Sequence, residues 1–287
     1  KQEYLTEWEE KTGIKIETVV VPLIDVYKKI ITESVEKSGA YDVISVCPVV
    51  YMPDVVESGV AAQMDDWVKK YEPLIYDPVV GYPECFIRSE MSYKGHLYGF
   101  TVDYDVNLGH IREDLINDPN EKKAFESEFG YTLKAPETWK EFEDIAKFFY
   151  RPEDPNPVSG EKGLWGVWEY RVYGWSTPVF LARFLSKGKY YFDDNMKPNI
   201  DSPEAVEALK DQIRINQYLP PQVWTGDWTA SYKLYADGGI VTMMSFTSLK
   251  KYSRIPDVSK LLAKGINVAA YLPPGEPVFG QIRRAGL

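Results

Sequence analysis

The sequence predicts an α/β protein built from two domains. Three observations carry this. The chain has 287 residues, and domains run at roughly 100–200 residues each. Helical and strand patterns alternate through residues 1–70. Within them, YDVISV (41–46) is almost wholly apolar, as in a strand covered on both faces of a parallel sheet.

Each element has a local cause. Residues 1–12 place Tyr4, Leu5 and Trp8 on one helical face, and Gly13 supplies a C-terminal stop. IKIETVVV (14–21) is β-branched and reads as a strand. PLIDVYKKIITESVEKSG reads as a helix with Leu23, Val26, Tyr27, Ile30 and Ile31 buried, closing near Gly39. A short helix around Pro53 to Ser58 follows the second strand. HLYGFTVDYDVNLGHI (96–111) is long and extended, with Asp103 and Asp105 in its middle. Burying those acids without partners is costly, so this stretch is read as crossing an open cleft.

A helix over 112–128 follows. KAPETWKEFEDIAKFF (134–149) then carries a capping box, Thr138 with Glu141, and an apolar stripe of Trp139, Phe142, Ile145, Ala146 and Phe149. RPEDPNPVSGEKG reads as a loop and LWGVWEY as a strand. STPVFLARFLSKG reads as a helix. DSPEAVEALKDQIRINQYL is a helix capped by Ser202 with Pro203 in its first turn. TASYKLYADGG is helical, IVTMM and INVAAYLPPG are strands, and VFGQIRRAGL is a strand or turn. Lys1 opens almost inside a helix, and the chain stops without a closing helix. It is therefore read as trimmed at both ends.

Composition excludes several classes. The formal net charge is −10, which repels nucleic acid and anionic membranes. No apolar run reaches the roughly 18 residues of a membrane span. Cys47 and Cys85 form no paired motif and are read as buried thiols in preference to a bridge. His96 and His110 lack zinc-ligand spacing, so neither a metal nor a cofactor is expected. No nucleophile elbow, phosphate loop or dinucleotide fingerprint occurs. Aromatic residues reach 14%. Trp and Tyr join a flat apolar face to a polar tip, which suits sugar-like ligands.

Four constellations are candidates for ligand contact. Asp103, Tyr104 and Asp105 offer carboxylates that accept hydroxyl hydrogens. WEYRVYGWSTP (168–178) crowds aromatic rings at a turn, with Trp175 first and Tyr173 second. SVCPVVYMPD (45–54) follows the carboxyl end of a strand, where open α/β sheets bind ligands, and offers Pro48 and Tyr51. MMSFTS offers Ser245 and Phe246, and Trp228 stands beside TGD. Arg171 is an isolated cation near the aromatic group. Paired acids among aromatics also suit a glycoside hydrolase.

The order of these segments resembles the extracellular solute-binding proteins of ABC importers, in the sugar-binding group that includes maltose-binding protein. EWEEKTGIKIETV is similar to the family's first helix, glycine and strand. YKGHLYGFTVDYDVNLGHIREDL resembles its GKLYGLPYD…YYNKDLF, and APETWKEFEDIAK its PKTWDEFLEAAK. DSPEAVEALKDQIRI and YADGGIVTMM resemble the helix and the F..GKAAM strand of its second lobe. GHIRED lacks the family's aromatic pair. After TMM, Ser245, Phe246 and Thr247 stand where the family often has glycine and tryptophan.

The resemblance implies the two-lobe periplasmic-binding-protein fold of type II, each lobe a sheet flanked by helices. Residues 1–105 plus 275–287 would form lobe one and 106–274 lobe two, with hinge strands near 106–109 and 269–272. It implies a monomeric, non-catalytic protein that captures a carbohydrate and hands it to the permease subunits of an ABC transporter. A polyol, sugar acid or sugar phosphate is the alternative ligand. The implied location is periplasmic or extracellular, with a lipid anchor left open. Trp175 matches a position that contacts sugar in the maltose-binding relative, and Asp103 matches an acidic one.

Overall fold

The computed structural model describes residues 3–21, 23–102 and 105–285. The chain divides into two compact units, residues 1–104 and 105–287.

The first unit is mainly helical. Its larger helices are Glu3–Thr12, Leu23–Glu36, Pro48–Glu57 and Asp65–Tyr71. A small hairpin pairs β1 (Ser92–Tyr93) with β2 (His96–Leu97). Ile75, Ile87, Met91 and Leu97 form its buried cluster. The strands expected at 14–21 and 41–46 are not formed: these residues join no ladder among the described residues. A helix closes its hydrogen bonds within one segment, whereas a strand exists only beside a neighbour. Val19, Val20 and Val43 are accordingly exposed. Cys47 is half-buried and Cys85 is exposed, so the expectation of two buried thiols fails.

The second unit holds the main sheet. Its strands are β3 (Asn107–Arg112), β4 (Arg151–Pro155), β5 (Lys162–Trp168), β6 (Ile240–Phe246) and β7 (Val268–Tyr271). They lie in the order β4-β5-β6-β3-β7. β5 and β6 run parallel, whereas β4 is antiparallel to β5 and β3 is antiparallel to both β6 and β7. RPEDP, expected in a loop, forms β4 because its irregular backbone still finds β5 as a partner. The two expected hinge stretches pair side by side, Gly109 opposite Tyr271. The Tyr271 ring lies across β3, and a Cβ on Gly109 would come within 2.0 Å of it.

Helix Trp139–Phe148 has the predicted box: Thr138 accepts from the Glu141 amide, and the Glu141 carboxylate accepts from the Thr138 amide at 2.9 Å. Its stripe of Trp139, Phe142, Ile145 and Ala146, with Phe149, is buried in the core. The helix sits directly on β5 at Gly166, where a Cβ would stand 2.2 Å from the Ile145 carbonyl. Ser202 caps helix Pro203–Arg214 as expected.

A final hairpin pairs β8 (Gly275–Val278) with β9 (Gln281–Arg284). The resemblance placed this segment with the first lobe. Here it joins the second unit, packing against the end of helix Ser176–Ser186. Lys187 binds Glu276 at 2.9 Å, and Arg283 Nε donates to the Ser186 carbonyl at 2.6 Å.

Candidate functional site

The parallel pair β5 and β6 ends at Trp168 and Phe246. Just beyond β5, the chain turns through Tyr170 and Gly174 into helix Ser176–Ser186. Gly174 takes a positive φ of 79°, which lets Trp175 fold back over the strand ends. Trp175 packs 5.4 Å from the Tyr170 ring and edge-on to Phe246 at 6.0 Å. These rings face a pocket of about 30 Å³. Its lining also includes Asn107, Trp139, Glu169, Arg183 and Met244, with Pro178, Val179 and Ala182 from the helix.

Charge lies directly behind the rings. Glu169 binds Arg183 through one carboxylate oxygen and Arg171 through the other, the latter at 3.0 Å. Arg171 also donates to Asn216, the Tyr170 carbonyl and the Gln212 carbonyl, so each of its nitrogens has a partner. Arg183 stacks over the Trp139 ring at 4.3 Å. Trp139 Nε1 in turn donates to Ser186 at 2.9 Å.

A set of hydroxyls supports the same wall. Tyr170 and Ser231 share a hydrogen bond of 2.7 Å, and Tyr232 and Ser248 one of 2.9 Å. Burial raises the Tyr170 pKa, so this phenol stays protonated and keeps its hydrogen to donate.

The predicted residues divide. Trp175 and Phe246 meet at the pocket. Ser245, one position before Phe246, points to the other face of β6; it is buried and lies 3.4 Å from the Tyr232 hydroxyl. Trp228 opens helix Trp228–Ala236, half-exposed, with its ring edge-on to Tyr232 at 5.5 Å. Tyr173 is 98% exposed and leaves the group altogether. Asp105 is spent on structure: it accepts from the Thr247 hydroxyl and from the Ser248 amide, at the start of helix Ser248–Tyr252. Asp103 and Tyr104 lie outside the described residues. In the first unit, Pro48 begins helix Pro48–Glu57, and Tyr51 stacks on Tyr27 at 4.6 Å.

The sequence reading missed Asn107, Trp139, Glu169, Arg183 and Met244. One signal was available. Arg183 is the sole charge in the apolar helix STPVFLARFLS, a position where a cation requires a partner. Trp139 was read as core, and it is core on one side. Among the described residues no group of acids, His or Cys is placed to hold a metal.

Comparison with known proteins decides the family. The model of the bacterial extracellular solute-binding protein family matches residues 1–277. The chain belongs to this family. Among solved structures, an ABC transporter solute-binding protein of Agrobacterium radiobacter K84 in complex with ribitol superposes with a TM-score of 0.76 at 20% identity. The match covers 98% of this chain and 64% of that one. A counterpart from Agrobacterium vitis S4, with bound D-mannitol, gives 0.71 at 21% identity over 96% and 60% of the two chains. Maltose-bound MalE3 of T. maritima gives 0.70 at 20% identity over 98% and 64%. These likenesses establish the shared fold, and the chain spans less than two-thirds of the length of each of these structures. A comparison with curated proteins found no match. No helix among the described residues is long and apolar enough to cross a membrane.

Proposed function

We propose that this chain belongs to the substrate-capturing component of an ABC importer and binds a small carbohydrate or polyol at the Trp175–Phe246 pocket. One observation carries the reading. Two aromatic rings converge on a polar-backed pocket at the carboxyl ends of adjacent parallel strands, where open α/β sheets bind ligands. The ring faces offer area to sugar C–H groups, while Asn107 supplies a polar tip. Ribitol and D-mannitol in the two Agrobacterium proteins favour a ligand of polyol size.

Delivery to a permease, a place outside the cytoplasm with or without a lipid anchor, and a monomeric state complete the proposal. Catalysis is not part of it. A glycoside hydrolase needs a free pair of carboxylates, and Asp105 is already bound to Thr247 and Ser248.

The test is thermal unfolding against polyols, monosaccharides and maltose. A ligand that binds only the folded chain raises the midpoint by mass action. The expected result is a rise with at least one of them, abolished by Trp175→Ala, with no cleavage of labelled oligosaccharide. A panel without any rise, or a rise that survives Trp175→Ala, overturns the assignment.

A further inference from the structure

The charges behind the pocket do not balance. Glu169, Arg171 and Arg183 have side-chain exposures of 2%, 7% and 2%. Two guanidinium groups therefore share one carboxylate away from water. Arginine does not deprotonate in proteins, so the cluster carries a net positive charge at every ordinary pH. An unmatched buried charge is expensive and calls for a counter-charge.

The donors are also unevenly used. Arg171 has spent its nitrogens on Asn216, Tyr170, Glu169 and Gln212. Arg183 has not. Its Nε is buried without a hydrogen-bond partner among the described residues, and its Nη1 reaches only the Val179 carbonyl at a long 3.4 Å. Of the two arginines, Arg183 is the one among the residues that line the pocket.

Charge narrows the choice of anion. The cluster carries one excess positive charge, two guanidinium groups against one carboxylate. A ligand carboxylate brings one negative charge, and its planar shape matches the guanidinium fork. A phosphate ester brings about −1.5 to −2 at pH 7, more than the cluster can balance. The cavity of about 30 Å³ holds two to three oxygens at roughly 10–15 Å³ each. The rings of Trp175 and Phe246 would remain to meet the carbon skeleton.

We infer that this pocket takes the carboxylate of a sugar acid or polyol acid, an aldonate or uronate, against Arg183. The inference rests on the ligand-capture reading above and specifies its ligand class.

The experiment uses matched pairs on the 287-residue chain: D-glucitol with D-gluconate, and D-glucose with D-glucuronate. Glucose 6-phosphate is the control anion. Calorimetric titration and the thermal midpoint are read for each. The expected result is binding of one acid, at least about tenfold tighter than its neutral partner and than the phosphate. Arg183→Lys keeps the charge but loses the fork. It should weaken the acid about tenfold. Because Arg183 also pairs with Glu169 and stacks on Trp139, a lower unliganded midpoint is expected, and affinities are compared at a temperature where both proteins are folded. Arg183→Gln removes the charge and should weaken it further; if this variant does not fold, Arg183→Lys decides.

Binding of a neutral member as tightly as its acid overturns the inference and leaves ligand capture standing. Preference for the phosphate, or an acid affinity unchanged in Arg183→Lys, also overturns it. Binding of no compound in this set or in the neutral panel overturns the capture reading and this inference together.

Discussion

The two units obey different rules. In the second, five strands surround a continuous core in which Phe142, Ile145, Val167, Trp168 and Val241 are buried. In the first, the largest buried cluster is Ile75, Ile87, Met91 and Leu97, and the paired strands are two residues long. Both stretches of sequence carry amphipathic helices and β-branched runs. The difference lies in what each run finds beside it. IVTMM is flanked by β5 and β3, whereas YDVISV has no paired neighbour among the described residues. Strand propensity thus reports fit to a neighbour rather than an intrinsic shape.

The largest effect should come from the second core. Phe142 is fully buried and packs at 5.9 Å against Trp139 in a T-shaped pair. Phe142→Ala removes that contact and leaves a cavity, at a cost of about 3–5 kcal/mol. Urea unfolding read by tryptophan fluorescence, with hydrogen exchange resolved by segment, measures it. Protection should fall across β5 and β6 and stay unchanged at Met91. A parallel loss at Met91 would show one cooperative core and erase the contrast between the units.

The second effect depends on pH. His110 lies on β3, between β6 and β7, buried, and neither ring nitrogen has a hydrogen-bond partner among the described residues. Burial pushes its pKa down to about 4, against a weaker opposite pull from the nearby backbone of Phe246 and Ser245. The unfolded chain, with an ordinary value near 6.5, then holds the proton more tightly between these limits. Stability is full above about pH 6.5 and falls as pH drops toward about 4, by up to about 3 kcal/mol. His110→Leu should flatten the slope of unfolding free energy in that window. A slope unchanged in His110→Leu would assign the acid sensitivity to other groups.

Much of the second unit was legible before its structure. The Thr138 box, the stripe from Trp139 to Phe149 and the Ser202 cap are local patterns, and each is found as read. The type II fold was legible only through the order of segments, since no one motif is stringent. The site was half legible. Aromatic density pointed to Trp175 and Phe246, which meet. It also pointed to Tyr173, which faces away because residues two apart across a turn do not share a direction. Asp105 read as a ligand acid because a cap and a free carboxylate look alike in sequence. Glu169 and Arg183 stand 14 residues apart, and only the turn at Gly174 brings them together.

The smallest predicted effect tests the comparison most sharply. Val20 and Val43 are 86% and 87% exposed. Replacing either by Thr keeps the β-branch and swaps a methyl for a hydroxyl. At an exposed site this should change stability by less than about 0.5 kcal/mol. The amides around both residues should also exchange rapidly, because no ladder protects them. A loss well above that figure, with slow exchange at 18–21 or 41–46, would mean that these runs have acquired a sheet neighbour in solution. The contrast between the units would then reduce to whether a strand partner is at hand, since the β-branched pattern in both is the same.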